Sequence, residues 1–87
     1  MTVYILRAQQ APNEQIAGFF RRFKETPGLL HAYDLQGEDD PSETVVVAVW
    51  ESKEAADRYL KSSSLRNEVD QAVPSARRTF YNVLDSK

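Results

Sequence analysis

His31 and Trp50 are the side chains of this 87-residue sequence best suited to chemistry on a small molecule. His31 is the single histidine, and no other side-chain type has an ordinary pKa so near neutrality. A lone histidine is nevertheless more often structural than catalytic. Trp50 could stack on an aromatic ligand and donate its indole N–H, or it could pack in a core at the end of a strand. No nucleophile–base pair, phosphate-binding loop or pair of catalytic carboxylates accompanies them.

Three tyrosines and one asparagine complete the residues that could contact a ligand. Tyr33, Tyr59 and Tyr81 could each present a phenol to a pocket or lie half-buried with the hydroxyl at the surface. Asn82 lies within an apolar stretch and needs a hydrogen-bond partner if it is buried. We take Tyr33, Tyr59 and Asn82, together with Trp50, as candidate substrate-binding residues.

Composition excludes several classes of site and partner. The chain has no cysteine and one histidine, which excludes disulfides, thiolate metal sites and multi-histidine metal sites. We expect neither a metal nor another cofactor. The net charge is −2, and the basic pairs at 21–22 and 77–78 are short enough to be ordinary solvated faces. We therefore expect no binding to nucleic acid.

The sequence also indicates a cytoplasmic protein without a membrane partner. No apolar run approaches the ~20 residues of a membrane span. The first four residues lack the basic and apolar regions of a signal peptide.

Hydrophobic periodicity predicts one domain, residues 1–87, with four strands and three helices. The β-branched and aromatic stretches at 3–8, 29–36, 44–50 and 78–84 are typical of strands. A helix that begins with Asn13 as N-cap places four apolar residues on one face, with the i, i+3, i+4, i+7 spacing: Ile16, Phe19, Phe20 and Phe23. A second helix begins after Ser52 and ends in serines at 62–64, and a third covers 65–73.

This order of elements predicts an α+β fold of the ferredoxin-like type, β-α-β-β-α-β with one extra short helix. Such a fold has an antiparallel sheet with its helices on one face. The other face would be wet in a monomer and should then be polar.

The third strand is apolar on both faces, which indicates a partner. Val45, Val47 and Val49 point one way, and Val46, Ala48 and Trp50 point the other. The simplest explanation is a homodimer whose sheets pack together. The alternative is a monomer whose central strand tolerates one apolar row.

Two stretches resemble the antibiotic biosynthesis monooxygenase superfamily. They are the turn TPGLL at 26–30 and the junction VWESKEA at 49–55, followed by YLKS at 59–62. The resemblance covers almost the whole chain. It implies a dimeric α+β barrel with a pocket between sheet and helices in each subunit. It also implies a cofactor-free oxygenase of aromatic polyketides or quinols, a haem-degrading enzyme, or a member without assigned chemistry.

Comparison of single positions with the haem-degrading branch argues against that activity. By spacing, the strand-1 asparagine, the helical tryptophan and the iron-binding histidine of that branch correspond to Arg7, Tyr59 and Val69. None of the three matches, so the resemblance implies no haem degradation.

This sequence matches the polyketide-oxidising branch at one of that branch's three functional positions. Trp50 matches its tryptophan, while its asparagine and tyrosine correspond to Val46 and Ala56. The family alignment also places Arg7 on the pocket-facing side of strand 1. There it could bind a carboxylate or phenolate, pair with a protein carboxylate, or reach solvent.

Two functions remain open. One is a cofactor-independent monooxygenase of a small aromatic quinol or polyketide-like substrate, with Arg7 or His31 favouring substrate deprotonation. The other is a non-catalytic dimeric module that binds a small apolar ligand or a partner. A pocket floored by Trp50 and reached by Arg7 or His31 would favour the enzyme, and a filled core would favour the module.

Overall fold

The computed structural model describes residues 1–87 and contains one four-stranded antiparallel sheet and three helices. The elements in chain order are β1 (Thr2–Gln9), α1 (Asn13–Phe23), β2 (Leu29–Gln36), β3 (Glu43–Trp50), α2 (Lys53–Ser62), α3 (Ser64–Ala72) and β4 (Arg77–Asn82). The strand order is β2-β3-β1-β4. This is the ferredoxin-like arrangement, so the predicted fold class is confirmed. None of the helices has the length and apolar character that crossing a bilayer requires.

The helices cover one face of the sheet and leave the other face open. On the covered face, Tyr4 and Leu6 of β1 are buried, as are Val46, Ala48 and Trp50 of β3. On the open face, side chains are half-buried or exposed because no element covers them. We call this surface the open sheet face, and its apolar residues in the central strands are Val3, Ile5, Val45, Val47 and Val49.

Four aromatic rings fill the space between the covered face and the helices. Trp50 has no exposed surface, and its ring centroid lies 5.7 Å from Tyr4, 5.8 Å from Phe23 and 5.6 Å from Tyr59. Tilted and edge-on contacts at such distances are the favourable geometry for aromatic pairs. Through this aromatic cluster, β1 and β3 pack against α1 and α2.

The two longest helices begin in different ways. The Ser52 hydroxyl accepts a hydrogen bond from the Ala55 backbone N–H at 3.1 Å, so the predicted N-cap of α2 is confirmed. Asn13 is not an N-cap, because Pro12 occupies that position and no side chain caps α1. Proline at 12 sets the backbone angle before the helix, which moves the start by one residue from the expected cap.

Gly28 permits the sharp turn into β2. Its φ of +85° lies in the left-handed region, and a Cβ at this position would lie 2.5 Å from the Cβ of Ala55. Just after it, the pairing of β2 with β3 shifts between Leu29 and His31. Leu29 pairs with Trp50 and His31 with Val49, so these two residues do not share a face as simple alternation predicted.

Candidate functional site

A small apolar cavity lies between the covered face of the sheet and the helices. Its volume is about 40 Å³, or about 400 Å³ when its opening to solvent is included. The closed part holds only a few water molecules, whereas typical ligand pockets reach ~300–1,000 Å³. Phe19 and Phe20 of α1 line it and are only half-buried. The remaining lining residues are Tyr4, Leu6, Ile16, Phe23, Val46, Tyr59, Leu65, Val69 and Arg78.

Arg78 is the one charged side chain that lines this cavity. Its side chain is 11% exposed, and Nη1 donates a hydrogen bond to Asp70 Oδ1 at 2.7 Å. Nε and Nη2 are buried and make no hydrogen bond of good geometry, although the guanidinium lies near enough to the hydroxyls of Tyr4 and Tyr59 to act against the rise in their pKa. An unpaired buried donor costs about 1–3 kcal/mol, so the site gains free energy from any ligand that supplies an acceptor.

Asp70 keeps Arg78 charged in these apolar surroundings. Burial acts to lower the pKa of Arg78, but the hydrogen bond and the charge of Asp70 outweigh it and raise the pKa. Asp70 also forms an ion pair with Arg66 of the same helix, at 3.0 Å. The carboxylate therefore lies between two guanidinium groups and fixes the position of the more buried one.

Two tyrosines contribute hydroxyl groups to the same cavity. Burial raises the pKa of Tyr4 far above its ordinary value, and burial likewise raises the pKa of Tyr59, although the charge of Arg78 acts in the opposite direction on both. Both phenols are neutral at physiological pH and can donate a hydrogen bond, but neither can act as a general base there. The cavity therefore offers one fixed positive charge and two phenols.

Among the candidates taken from the sequence, Tyr59 lines the cavity. Trp50 lies directly behind it in the aromatic cluster, without contact to the cavity or to solvent, and its indole N–H has no partner. Trp50 is therefore packed within a filled core. Val69, at the position of the iron-binding histidine in the haem-degrading branch, is a buried wall residue of the cavity.

Arg7, His31 and Tyr33 lie on the open sheet face. Arg7 pairs with Val45 and with Arg77, and its side chain is exposed. The expected pocket-facing orientation of Arg7 is therefore wrong. Strand alternation puts Tyr4, Leu6 and Ala8 on the covered face and directs the residues between them away from it.

Asn82 lies apart from the cavity and from the residues of the open sheet face, at the end of β4. It borders a surface depression of about 420 Å³ together with Thr2, Lys53, Asp57, Phe80 and Tyr81. Its side chain is exposed, so it does not need the buried partner that an interior asparagine would require.

Sequence reasoning misses Arg78 and Tyr4 as functional candidates, and the prediction of a solvated face at 77–78 holds for Arg77, which is exposed, but is wrong for Arg78. Successive residues of a strand point to opposite faces, so one arginine of an adjacent pair must face the helices. Arg78 has the same parity as Phe80, which pairs with Tyr4 of the covered face. The sequence shows only the alternation, and the pairing with Tyr4 identifies Arg78 as the arginine on the covered face.

Solved structures with this fold include two close matches in shape. SnoaB from Streptomyces nogalater, a cofactor-independent oxygenase, superposes with a TM-score of 0.78 at 17% identity, over 98% of this chain and 94% of that one. Rv0793 from Mycobacterium tuberculosis superposes with a TM-score of 0.76 at 17% identity, over 98% and 96% of the two chains. At this identity the likeness establishes the fold alone. No curated protein sequence matches the chain.

The sequence profile of one family matches most of the chain. The profile is that of the antibiotic biosynthesis monooxygenases, and it matches residues 6–71. The matched region begins within β1 and ends within α3, so it includes three of the four rings of the aromatic cluster and most of the cavity wall, but neither Tyr4 nor Arg78. This chain belongs to the antibiotic biosynthesis monooxygenase family.

Proposed function

We propose that the protein is a cofactor-independent monooxygenase of a small aromatic substrate that ionises to a phenolate or enolate. The observation that carries this proposal is Arg78, a largely buried guanidinium whose Nε and Nη2 make no hydrogen bond of good geometry, beside the hydroxyls of Tyr4 and Tyr59 in a cavity that is otherwise apolar. A fixed positive charge in such surroundings stabilises an anion far more than the same charge in water. Family membership and the fold shared with SnoaB support the same reaction class.

In this mechanism the protein promotes ionisation of the substrate and excludes water. For a substrate with an acidic methylene, one oxygen atom of O2 becomes the new carbonyl, and the other leaves as water with the two hydrogens. The substrate anion supplies the electrons. Arg78 stabilises that anion, and the neutral hydroxyls of Tyr4 and Tyr59 donate to its oxygen. No carboxylate or histidine lines the cavity, so the proton passes to solvent.

Access to the cavity requires the two phenylalanines of α1 to move. The closed volume is smaller than a bicyclic ring, and Phe19 and Phe20 are the half-buried apolar members of the wall. Rotation of these two side chains would join the cavity to its solvent opening. The substrate would then displace the α1 side chains rather than the core around Trp50.

Oxygen uptake with anthrone and with dihydroxynaphthalenes tests the proposal. We expect wild-type protein to consume oxygen above the buffer rate and to convert anthrone to anthraquinone. Arg78→Gln should reduce uptake by ~100-fold or more, the usual effect of removing one donor to a developing oxyanion. Arg21→Gln removes an exposed arginine of α1 and should retain the wild-type rate. Uptake that is unaffected by Arg78→Gln would contradict the assigned role.

A non-catalytic ligand-binding module is the second candidate, and a specific observation favours it. The core around Trp50 is filled, and neither Arg7 nor His31 reaches the covered face. Such a module would bind the same class of anion at Arg78 without consuming oxygen. Binding of 1-naphthol in the absence of any uptake with the substrate panel would select this alternative.

We further propose that the protein is a homodimer whose open sheet faces pack together, and that it is cytoplasmic. Tyr33, Leu35 and Tyr81 of the open sheet face are 54%, 46% and 46% exposed beside the half-buried valine row. An apolar surface of this kind is typical of a protein–protein interface.

A further inference from the structure

Two helices, α1 and α3, contribute most of the cavity wall that lies opposite the sheet. Their lining residues are Ile16, Phe19, Phe20, Phe23, Leu65 and Val69. Neither helix has a side-chain cap at its N-terminus. Movement of α1 relative to α3 would therefore widen or narrow the space in which the cavity lies.

One bidentate ion pair links these two helices. Arg22 of α1 donates from Nη1 to Glu68 Oε1 of α3 at 2.9 Å and from Nη2 to Oε2 at 2.7 Å. No other side-chain hydrogen bond or ion pair joins α1 to another element, so apolar packing alone makes the remaining contacts of this helix. We call the Arg22–Glu68 pair the clasp.

The clasp lies beside the cavity. Arg22 is one helical turn after Phe19, and Glu68 directly precedes Val69, so both partners are neighbours of wall residues. The hydrogen bond to Glu68 is the main cause that raises the pKa of Arg22, and the charges of Glu68 and Tyr59 act in the same direction. The guanidinium therefore lies near the hydroxyl of Tyr59, which also lines the cavity.

The strength of the clasp suits a contact that opens and closes repeatedly. The two side chains are 52% and 47% exposed. Exposed ion pairs contribute little in general, and bidentate geometry is the case in which they do contribute. We therefore expect loss of the clasp to change the balance between closed and open forms by ~3-fold rather than by orders of magnitude.

We propose that the clasp gates the cavity: it holds α1 against α3, and a ligand enters or leaves when it opens. Because Phe19 is one turn from Arg22, opening of the clasp also gives that ring room to move outward. This inference rests on the proposed function in that the same cavity admits the ligand. It adds Arg22 and Glu68 as residues that set the rates of entry and release without contact to the ligand.

Stopped-flow binding of 1-naphthol, followed by Trp50 emission, tests the gate. We expect Glu68→Gln to raise the association and dissociation rates by the same factor, ~3-fold, and to leave Kd unchanged, because the clasp closes over both the empty and the occupied cavity. An increase from ~0.05 to ~1 M NaCl should accelerate wild type more than Glu68→Gln, since salt screens the exposed pair. Arg21→Gln, on exposed α1 surface, should retain the wild-type rates.

Reversal of the pair separates the clasp from a general loosening of the fold. Glu68→Arg places two guanidinium groups together and should accelerate binding and release at least as much as Glu68→Gln. The double variant Arg22→Glu with Glu68→Arg restores an ion pair between α1 and α3 and should return both rates to near wild type.

Amide hydrogen exchange measures the same opening without a ligand. Amides of α1 that exchange by local opening should exchange ~3-fold faster in Glu68→Gln, because the clasp is the polar link of this helix to α3. Locally exchanging amides of α2, which carries neither partner of the clasp, should exchange at the wild-type rate.

Three results would overturn the gate: unchanged 1-naphthol rates and unchanged α1 exchange in Glu68→Gln, a faster dissociation with unchanged association, or a double variant that does not recover the wild-type rates. Oxygen uptake by wild type together with unchanged α1 exchange would remove the clasp and leave the proposed function. Faster α1 exchange in Glu68→Gln without any 1-naphthol binding or oxygen uptake would keep the clasp and remove the proposed function.

Discussion

At the scale of single residues, Tyr4 and Tyr59 are phenols in surroundings that favour the neutral form. Their rings lie 6.4 Å apart within the aromatic cluster, and burial raises the pKa of both. An ionised phenolate would lose its hydration without gaining an equivalent partner. The same burial that makes them hydrogen-bond donors in the cavity links the stability of the fold to alkaline pH.

We expect the protein to lose stability as the pH rises past the ordinary tyrosine pKa of 10.0. Above that pH the unfolded chain releases these two protons while the folded chain retains them. The free energy of unfolding then falls by about 1.4 kcal/mol per pH unit for each group. Urea unfolding between pH 9 and 11 measures the slope, which Tyr4→Phe and Tyr59→Phe should each make less steep. Parallel curves for wild type and both variants would contradict this linkage.

The residues of the site were harder to predict than the residues of the core. Trp50 and Tyr59 are large aromatics at positions that strand and helix periodicity marks as interior. Arg78 carries a charge, and a charged residue of a small acidic protein is usually solvated. Its burial depends on Asp70, eight residues earlier on α3, and no local pattern reveals that ion pair. Alternation along β4 indicates that one arginine of the pair is buried, but it identifies neither which one nor its hydrogen-bond partners.

At the scale of elements, α1 and α2 pack on the same face of the sheet, but their N-termini are stabilised differently. The cap at Ser52 satisfies a backbone N–H at the start of α2, whereas α1 begins after a proline without a side-chain cap. Packing of Ile16 and Phe23 into the core stabilises α1 instead. This helix carries Phe19 and Phe20 of the cavity wall, so the proposed entry route runs beside the helix that has no side-chain cap.

Substitution of the two candidate caps should therefore have unequal effects. Ser52→Ala removes the hydrogen bond to Ala55 and should lower the free energy of unfolding by about 1 kcal/mol. Asn13→Ala removes no cap and should change it by less than ~0.5 kcal/mol. Chemical denaturation of the two variants beside wild type makes the comparison. A larger loss from Asn13→Ala than from Ser52→Ala would show that the asparagine caps α1 in solution.

Strand and helix positions followed closely from periodicity because the central strands and α1 have clear apolar patterns. β2 has the predicted bounds, 29–36, and β3 begins one residue earlier than expected, at Glu43. β4 ends at Asn82 rather than at 84, because the partner strand β1 begins at Thr2 and only one long hydrogen bond follows, from the Val83 N–H to the Met1 carbonyl at 3.4 Å. The pairing register of β2 with β3 was not predictable in the same way. Its shift between Leu29 and His31, just after Gly28, depends on how the turn packs against α2.

At the scale of the whole molecule, the open sheet face has no covering layer. Arg7 and Arg77 lie directly opposite each other at one end of this face. Like charges in such a pair repel, so this end is less suited to a close apolar contact than the valine row. We therefore expect the proposed dimer contact to centre on β3.

Val47→Lys places a charge in the middle of that row and should convert a dimer to a monomer with much lower stability. Val47 pairs with Ile5 on one side and Tyr33 on the other, so the lysine would have apolar neighbours on both adjacent strands. Multi-angle light scattering at micromolar concentration measures the mass. Asp39→Lys, in the exposed turn between β2 and β3, is the control and should remain dimeric. A wild-type mass of one chain would remove the dimer proposal.

The aromatic cluster gives the protein a single optical reporter. Trp50 is the one tryptophan, it is shielded from solvent, and its ring centroid lies within 5.7 Å of both phenols of the cavity. Its emission should therefore be blue-shifted in the native state and should move to the red on unfolding. A ligand at Arg78 does not touch the indole, so collisional quenching should be weak. An anthrone or naphthalene chromophore that absorbs near the tryptophan emission should instead lower the intensity by energy transfer and so report occupancy of the cavity.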